Sequence, residues 1–151
     1  MIVAALVLDP ISRARLTDAL RNEASVRYCE RLSEVLAMVE AGLANLVVVD
    51  HRDHDGSPTL SSVRRLRDEY PSVPIVMYLP MSAVVSGAVI EYAKAGVSQL
   101  VFQGVDDLKA SLRSAVNAAL RLDTTAGASM ERWLRDEQAS PQRGEAVEAV
   151  P

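Results

Sequence analysis

Two aspartates, each closing an apolar run, are the residues of this sequence best placed to do chemistry. Asp50 closes the run Leu46-Val47-Val48-Val49, and Asp9 closes an apolar run over residues 2–8. Four consecutive apolar residues, three of them β-branched, predict a strand that is buried on both faces, as in a parallel sheet. Ligands gather at the carboxyl ends of such strands, so the two acids together suggest a site for a cation or a phosphoryl group.

The elements that must position these acids are short apolar strands alternating with helical patterns. The predicted strands cover residues 2–8, 26–29, 46–50, 74–79 and 100–102, and a helical pattern follows each of them. Five strand–helix repeats imply right-handed crossovers. The fold class predicted is therefore α/β: a doubly wound, flavodoxin-like sheet of five parallel strands with helices on both faces.

Several residues predict where the helices begin, end and face the core. Asp9-Pro10 is a helix start, Ser33 is expected to cap the second helix, and Asp106 or Asp107 the last. Gly42 and Gly96 are expected to end the second and fourth helices. The inner faces are predicted to include Ile11, Ala14, Leu16, Ala19 and Leu20 in the first helix, and Leu60, Val63, Leu66 and Tyr70 in the third.

Composition and charge exclude several classes of protein. A net charge of −4 gives no electrostatic footprint for nucleic acid or for an anionic membrane. The single cysteine, Cys29, excludes an intramolecular disulfide and a cysteine-based metal cluster. No run of about 18 apolar residues predicts a transmembrane helix, and the N-terminus lacks the features of a signal peptide. We therefore expect a cytoplasmic protein.

Motifs of the common enzymes with this fold class are missing. No Gly-x-Gly-x-x-Gly follows the first strand, no phosphate loop with Gly-Lys-Ser/Thr exists, and no Gly-x-Ser-x-Gly elbow is present. We therefore expect that the chain is not an enzyme with a substrate of its own.

In the order of its motifs, the chain resembles the receiver domain of two-component response regulators. The matching stretches are Leu6-Val7-Leu8-Asp9, Leu46-Val47-Val48-Val49-Asp50 with Asp55-Gly56 downstream, Val73-Pro74-Ile75-Val76-Met77, and Ala93-Lys94-Ala95-Gly96-Val97. The resemblance covers about residues 1–121. After about Leu122 the composition shifts to Thr, Gly, Ser, Pro and charged residues, so we expect a receiver-like domain over residues 1–122 and a linker-like tail over residues 123–151.

The resemblance implies a phosphorelay chemistry for Asp50. In the family, the acid at this position accepts a phosphoryl group from a histidine kinase, and Mg²⁺ is held by this acid and by acids ending the first strand. A hydroxyl residue ending the fourth strand and a lysine ending the fifth bind the phosphoryl oxygens. Three charged oxygens need a cation, a hydroxyl and an ammonium nearby. Here Asp9 and Asp50 would be the Mg²⁺ ligands.

This sequence departs from the family pattern at the positions that hold the phosphoryl group. The hydroxyl position is Leu79, the lysine position is Gln103, and the aromatic switch position is Leu100. The acidic pair that ends the first strand is reduced to Asp9, because Leu8 is apolar. Each missing charge-assisted contact costs roughly 1.5–3 kcal/mol. The sequence thus predicts a pseudo-receiver, with the conventional Asp phosphorylation switch impaired and no cofactor required.

Other interpretations of these residues stay open at the level of sequence. One alternative is that Asp50 still accepts a phosphoryl group, and another is that it only caps the following loop through backbone N–H groups. Asp9 before Pro10 is also a good helix N-cap. The loop containing His51 and His54 is a metal site or, more simply, a solvated polar loop. A small-molecule-binding α/β domain, with a pocket lined by Leu79 and Pro80, is a further alternative.

Partners are expected to be proteins, either a histidine kinase or a downstream effector, and a homodimer is a further option. The region from the fourth strand to the fifth helix is the surface that receivers commonly use. The first part of this region contains more apolar residues than the buried face of one helix requires, namely Met81, Ala83, Val84, Val85, Ala88 and Val89. Isolated exposed apolar residues are the simpler explanation.

The tail is predicted to contain one short helix over residues 130–138, with Ser129 as its cap. An isolated helix of about ten residues is marginal in water, so it needs something to pack on. Trp133 and Leu134 are its apolar residues, and docking on the core or on a second chain would bury them. A wholly disordered tail is the competing interpretation.

Trp133 is the only tryptophan, so its fluorescence tests the docking of the tail directly. We predict an emission maximum at short wavelength in the folded protein, because a docked indole leaves water, and a red shift on denaturation. Emission of a water-exposed indole that does not change on denaturation would contradict docking.

Overall fold

The computed structural model describes residues 1–80, 87–103 and 107–121. Its architecture is a five-stranded parallel sheet covered by helices on both faces. The strands are β1 (Ile2–Leu6), β2 (Ser25–Tyr28), β3 (Leu46–Asp50), β4 (Ile75–Leu79) and β5 (Gln99–Phe102), in the order β2-β1-β3-β4-β5. The helices in these residues are α1 (Pro10–Ala19), α2 (Leu32–Glu40), α3 (Leu60–Glu69), α4 (Ala88–Ala95) and α5 (Leu108–Arg121). The predicted doubly wound fold is confirmed.

The core consists of two apolar layers, one on each face of the sheet. Helices α1 and α5 cover one face, and α2, α3 and α4 cover the other. Successive residues of a strand point to opposite faces, so Val48 packs in the α1/α5 layer while Val47 and Val49 pack in the α2/α3/α4 layer. All three valines are at most 1% exposed, which explains the continuous apolar run that precedes Asp50.

Arg67 fixes the turn after α4 against the end of α3. Its guanidinium donates two hydrogen bonds to the Gly96 carbonyl, at 2.9 and 2.6 Å, and others to the carbonyls of Pro71 and Val73. Gly96 has φ +102°, and a Cβ there would lie 2.8 Å from the Arg67 Cγ. Only glycine fits this close approach, so Gly96 both ends α4 and sets its position beside α3.

The structure corrects two predictions about the helices. Ile11 and Ala14, both expected on the inner face of α1, are exposed, Ile11 by 62%, and the buried residues of that helix are Ser12, Leu16 and Ala19. The reason is that the Asp9 cap binds Ser12 and so sets the rotation of the first turn. Ser33 does not cap α2, because the helix already begins at Leu32, with Arg31 in the N-cap position.

Other boundaries differ from the predictions by one or two residues. Strand β1 ends at Leu6 rather than at residue 8, and β2 begins at Ser25.

Asp107 is the acid that caps α5, since its carboxylate accepts the Ala110 N–H at 3.1 Å. Gly42, with φ +71°, follows the end of α2 as expected.

Two predictions concern residues outside those that the structure describes. They are the apolar stretch over residues 81–86 and the tail helix over residues 130–138 with Trp133. Within the described ranges, every helix is too short or too polar to cross a membrane.

Candidate functional site

Asp50 is the last residue of β3, at the carboxyl edge of the sheet and opposite Tyr78 of β4. Its side chain is half-buried, and Oδ1 accepts hydrogen bonds from the His51 main-chain N–H at 2.6 Å and from Gln103 Nε2 at 3.3 Å. Among the described residues, no hydroxyl and no ammonium group donates to this carboxylate. Both donors that it has are electrically neutral.

Gln103 reaches Asp50 because the pairing of β4 with β5 continues one residue beyond the strand. The Gln103 N–H donates to the Leu79 carbonyl at 2.8 Å, which holds Gln103 at the carboxyl edge beside Asp50. Leu79 itself is fully buried in the α2/α3/α4 layer, and Leu100 is partly buried against the same layer. The structure thus brings Asp50 and Gln103 together, whereas Leu79 and Leu100 are part of the core.

Asp9 is the N-cap of α1. Its Oδ2 accepts the Ser12 N–H and the Ser12 Oγ–H, both at 2.9 Å, and Ser12 is only 8% exposed. These hydrogen bonds from Ser12 lower the pKa of the Asp9 carboxyl, with a further contribution from the charge of Arg15. One carboxylate oxygen of Asp9 is therefore committed to the helix cap.

Comparisons with known proteins agree with this arrangement of strands. No family model matches the chain, and no curated protein matches it by sequence. Solved structures do: the receiver domain of NtrX from Brucella abortus superposes with a TM-score of 0.67 at 15% identity, over 80% of this chain and 98% of that one. The chain has the receiver fold.

Two further solved structures show the same similarity. The N-terminal signal receiver domain of a two-component response regulator from Bacteroides fragilis gives a TM-score of 0.66 at 17% identity, over 78% of this chain and 95% of that one. Full-length FixJ from B. japonicum gives 0.69 at 19% identity, over 85% of this chain and 61% of that one. In this fold, Asp50 is the residue that ends the third strand.

Electrostatics at the site are set by burial and by the second carboxylate. Burial raises the pKa of the Asp50 carboxyl, and the His51 N–H opposes this by donating to the charged form. The charge of Asp9 raises the pKa further, and the Gln103 amide opposes it. Burial also lowers the pKa of the His51 imidazole, with help from the charge of Arg52. Asp50 thus lies where its ionised form is disfavoured.

The loop between β3 and α3 separates the two histidines. His54 lies in an exposed group with Asp53 and Asp55, whose candidate ligand atoms are within 4.8 Å of one another. Asp53 Oδ1 already accepts the N–H groups of Asp55 and Ser57, at 2.8 and 3.0 Å, so it shapes the loop. The His51 ring packs instead against Tyr92, with the ring centroids 6.2 Å apart.

Two buried hydroxyl residues under this loop were not identified from the sequence. Thr59 is fully buried and Tyr92 is 2% exposed. Thr59 Oγ1 donates to the Asp50 carbonyl at 2.5 Å, and Tyr92 Oη lies 3.3 Å from the His51 carbonyl. The available signals were a threonine in the N-cap position of α3 and a single aromatic residue in an otherwise aliphatic helix face.

Two cavities lie among the described residues. One is a small, mostly apolar space beside Val48 and Tyr78 that is too small for water. The other is a groove of about 460 Å³ beside Asn45, Tyr70 and Pro74, at the opposite end of the sheet from Asp50. Leu79 and Pro80, which were expected to line a small-molecule pocket, line neither of these two cavities.

Replacing Asp50 by asparagine should stabilise the protein at neutral pH. The pKa of the Asp50 carboxyl is raised above its ordinary value of 3.8, so the folded state holds the proton more tightly than the unfolded chain does. The ionised carboxylate therefore lowers stability at pH 7, and this penalty disappears as the pH falls below the ordinary pKa. We predict a higher Tm for Asp50→Asn at pH 7, with a gain that shrinks on acidification.

Thermal unfolding monitored by circular dichroism at several pH values measures this effect. Asp68→Asn, which changes an exposed carboxylate on α3, is the matched control and should leave Tm nearly unchanged. A lower Tm for Asp50→Asn at pH 7 would show that the carboxylate contributes stability in its charged form.

Proposed function

We propose that this chain is an atypical receiver domain that signals by binding a protein partner, with an impaired Asp phosphorylation switch. The observation that carries the proposal is the set of neutral donors around Asp50, namely the His51 N–H and the Gln103 amide. A phosphoryl group on Asp50 would place three charged oxygens where, within residues 1–80, 87–103 and 107–121, neither a hydroxyl nor an ammonium group donates to the carboxylate.

Leu79 supports this proposal because its side chain cannot be recruited to the site without opening the core. It is fully buried in the α2/α3/α4 layer, on the face of the sheet opposite the neighbouring Tyr78. A leucine donates no hydrogen bond in any rotamer. The conformational change that usually follows phosphorylation would therefore find no side chain at this position that can bind the phosphoryl group.

Mg²⁺, if it binds, would be held by Asp9 and Asp50. The ion usually takes one or two carboxylates and keeps several waters, so this pair is a sufficient donor set. It would screen the repulsion with which Asp9 raises the pKa of Asp50. Asp9 also gives one oxygen to Ser12, and Leu8 supplies no second acid at this strand end. The proposed function does not require the ion.

Incubation with Mg²⁺ and acetyl phosphate, followed by mass spectrometry of the intact protein, tests the phosphorylation part of the proposal. The wild-type chain should show no stable phosphoryl adduct on Asp50. The triple variant Leu8→Asp, Leu79→Thr, Gln103→Lys restores the missing acid, hydroxyl and ammonium, and it should accumulate a Mg²⁺-dependent adduct. Circular dichroism should first establish that the variant is folded, because shortening the buried Leu79 costs about 2–5 kcal/mol.

Asp50→Asn in the same triple background is the control for the site of modification and should abolish the adduct. A stable, Mg²⁺-dependent acyl phosphate on Asp50 of the wild-type chain would contradict the proposal and favour a phosphorylatable response regulator.

The partner surface is proposed to include α4. Ile90 of this helix is 59% exposed, and Ala88 and Val89 beside it are only partly buried. A large aliphatic side chain that is open to water gains by being covered, which makes α4 a natural contact for a second protein. A second copy of this chain is the simplest partner to test.

We predict that Ile90→Asp weakens self-association of the full chain by about tenfold or more, since a charge left in an apolar contact costs on the order of 1–3 kcal/mol or more. Sedimentation velocity over a range of protein concentrations measures the effect. Ile11→Asp is the matched control, because Ile11 is 62% exposed but lies on α1, in the opposite layer. A monomeric wild-type chain, or equal weakening by both variants, would contradict a homodimer through α4.

A further inference from the structure

Thr59 and Tyr92 are the buried hydroxyl groups closest to the backbone that follows Asp50. Thr59 is in the N-cap position of α3, and Tyr92 lies in the middle of α4, inside the aliphatic α2/α3/α4 layer. Their hydroxyl oxygens are 3.3 Å apart. A hydroxyl in such a layer is costly unless it is hydrogen-bonded, so the two groups must serve each other or the adjacent backbone.

Counting protons shows how the pair is arranged. Thr59 has one hydroxyl proton, and the short contact of 2.5 Å assigns it to the Asp50 carbonyl. Thr59 Oγ1 is then able to accept, and the His51 carbonyl, which already accepts the Thr59 main-chain N–H at 3.1 Å, has a second lone pair for a further donor. Tyr92 Oη lies 3.3 Å from each of them and has one proton to share between them. The Tyr92 hydroxyl is therefore oriented by both Thr59 and the loop backbone.

The same stretch of backbone is bound to the Asp50 side chain. Asp50 Oδ1 accepts the His51 N–H at 2.6 Å, while the carbonyl of His51 faces Tyr92 Oη. The His51 ring also meets the Tyr92 ring edge-on, at an interplanar angle of 61°. One residue, His51, thus connects the carboxylate at the sheet edge to the centre of α4.

The far end of this connection is the exposed surface of α4. Tyr92 is preceded by Glu91, which pairs with Arg64 of α3 at 3.6 Å, and by Ile90, which is open to water. A shift of the Tyr92 ring would therefore move the outward residues of α4 relative to α3.

We propose that Thr59 and Tyr92 are positioning residues that couple the Asp50 carboxylate to helix α4 through the main chain of His51. The coupling runs along the α3/α4 side of the sheet and uses neither Leu79 nor Leu100. Any event that changes the Asp50 carboxylate or its contact with the His51 N–H changes the position of α4. The proposal deepens the proposed function by naming the route from the Asp50 site to the suggested partner surface.

Amide chemical shifts of the ¹⁵N-labelled full chain test the coupling without a partner. The perturbation is Asp50→Asn, which removes the charge and keeps the shape of the side chain. In the wild-type background it should move the amide resonances of Ala88–Ala95 as well as those of His51 and Gln103. In a Tyr92→Phe background the changes at His51 and Gln103 should persist, and most of the change along α4 should be lost.

Thr59 provides a second test of the same link. Thr59→Val removes the hydroxyl at nearly constant volume and should also uncouple α4 from Asp50, whereas Thr59→Ser keeps the hydroxyl and should retain the coupling. Tyr70→Phe is the matched control, because Tyr70 lies at the end of α3 and lines the groove at the opposite end of the sheet. It should leave the response of α4 intact.

A response of α4 that survives both Tyr92→Phe and Thr59→Val would overturn the proposal, as would the absence of any response of α4 to Asp50→Asn in the wild-type background. A merely structural role would lower Tm in these variants without separating the response of α4 from that of His51 and Gln103. The result is also independent of the proposed function, since the coupling can exist in a chain that binds no partner through α4, and a partner can bind α4 without it.

Discussion

Burial of β3 on both faces is the constraint on which the rest of this structure depends. Residues Leu46–Val49 are at most 1% exposed, between β1 and β4 and beneath two layers of helices. Burying each of these side chains stabilises the fold by about 1.5–3 kcal/mol. No polar residue is tolerated until the strand leaves the core, so Asp50 is the first residue that can carry a charge. Asp50 lies at the carboxyl edge of the sheet, and Gln103, the residue that follows β5, lies beside it.

Two acids, Asp50 and Asp9, set the electrostatics at this edge of the sheet, and the hydrogen-bond donors that contact Asp50 are electrically neutral. Asp50 is disfavoured in its ionised form by burial and by Asp9, and among the described residues it accepts hydrogen bonds only from a main-chain N–H and an amide. Asp9 has a different role, because its carboxylate satisfies the free backbone N–H of Ser12 at the start of α1. Two acids that look equivalent in sequence are thus one helix cap and one half-buried carboxylate whose ionised form is disfavoured.

The α3/α4 side of the sheet carries most of the polar connections beneath the surface. Arg67 of α3 donates hydrogen bonds to the Gly96 turn after α4, and the hydroxyl groups of Thr59 and Tyr92 connect α4 to the loop after Asp50. Helix α4 is therefore anchored by directional hydrogen bonds at its middle and at the turn after its C-terminal end, in addition to apolar packing. Close-packed and hydrogen-bonded elements have discrete arrangements and do not deform continuously, and the proposed coupling to α4 relies on this property.

The sequence alone determined the fold class, because the signals are local and repeated. Continuous apolar strands, helical periodicity and the glycines after α2 and α4 depend on neighbours within a few residues, and they predicted five strand–helix repeats in the right order. The same local logic identified Asp50 at a strand end, whereas Leu79 and Gln103 were singled out by the resemblance to receiver domains. It failed where tertiary contacts choose between local options, as for the rotation of α1 that exposes Ile11.

Only the tertiary structure decided how the site is connected. Gln103 is 53 residues from Asp50 in sequence, and Tyr92 is 33 residues from Thr59, so no periodicity or motif could pair them. Their contacts exist because parallel strands bring distant carboxyl ends to one edge and because α4 packs beside α3. The sequence specified which residues lie at strand ends and on helix faces. The packing of one element on another decided which of them meet, and therefore that Asp50 is held by neutral groups and linked through His51 to α4.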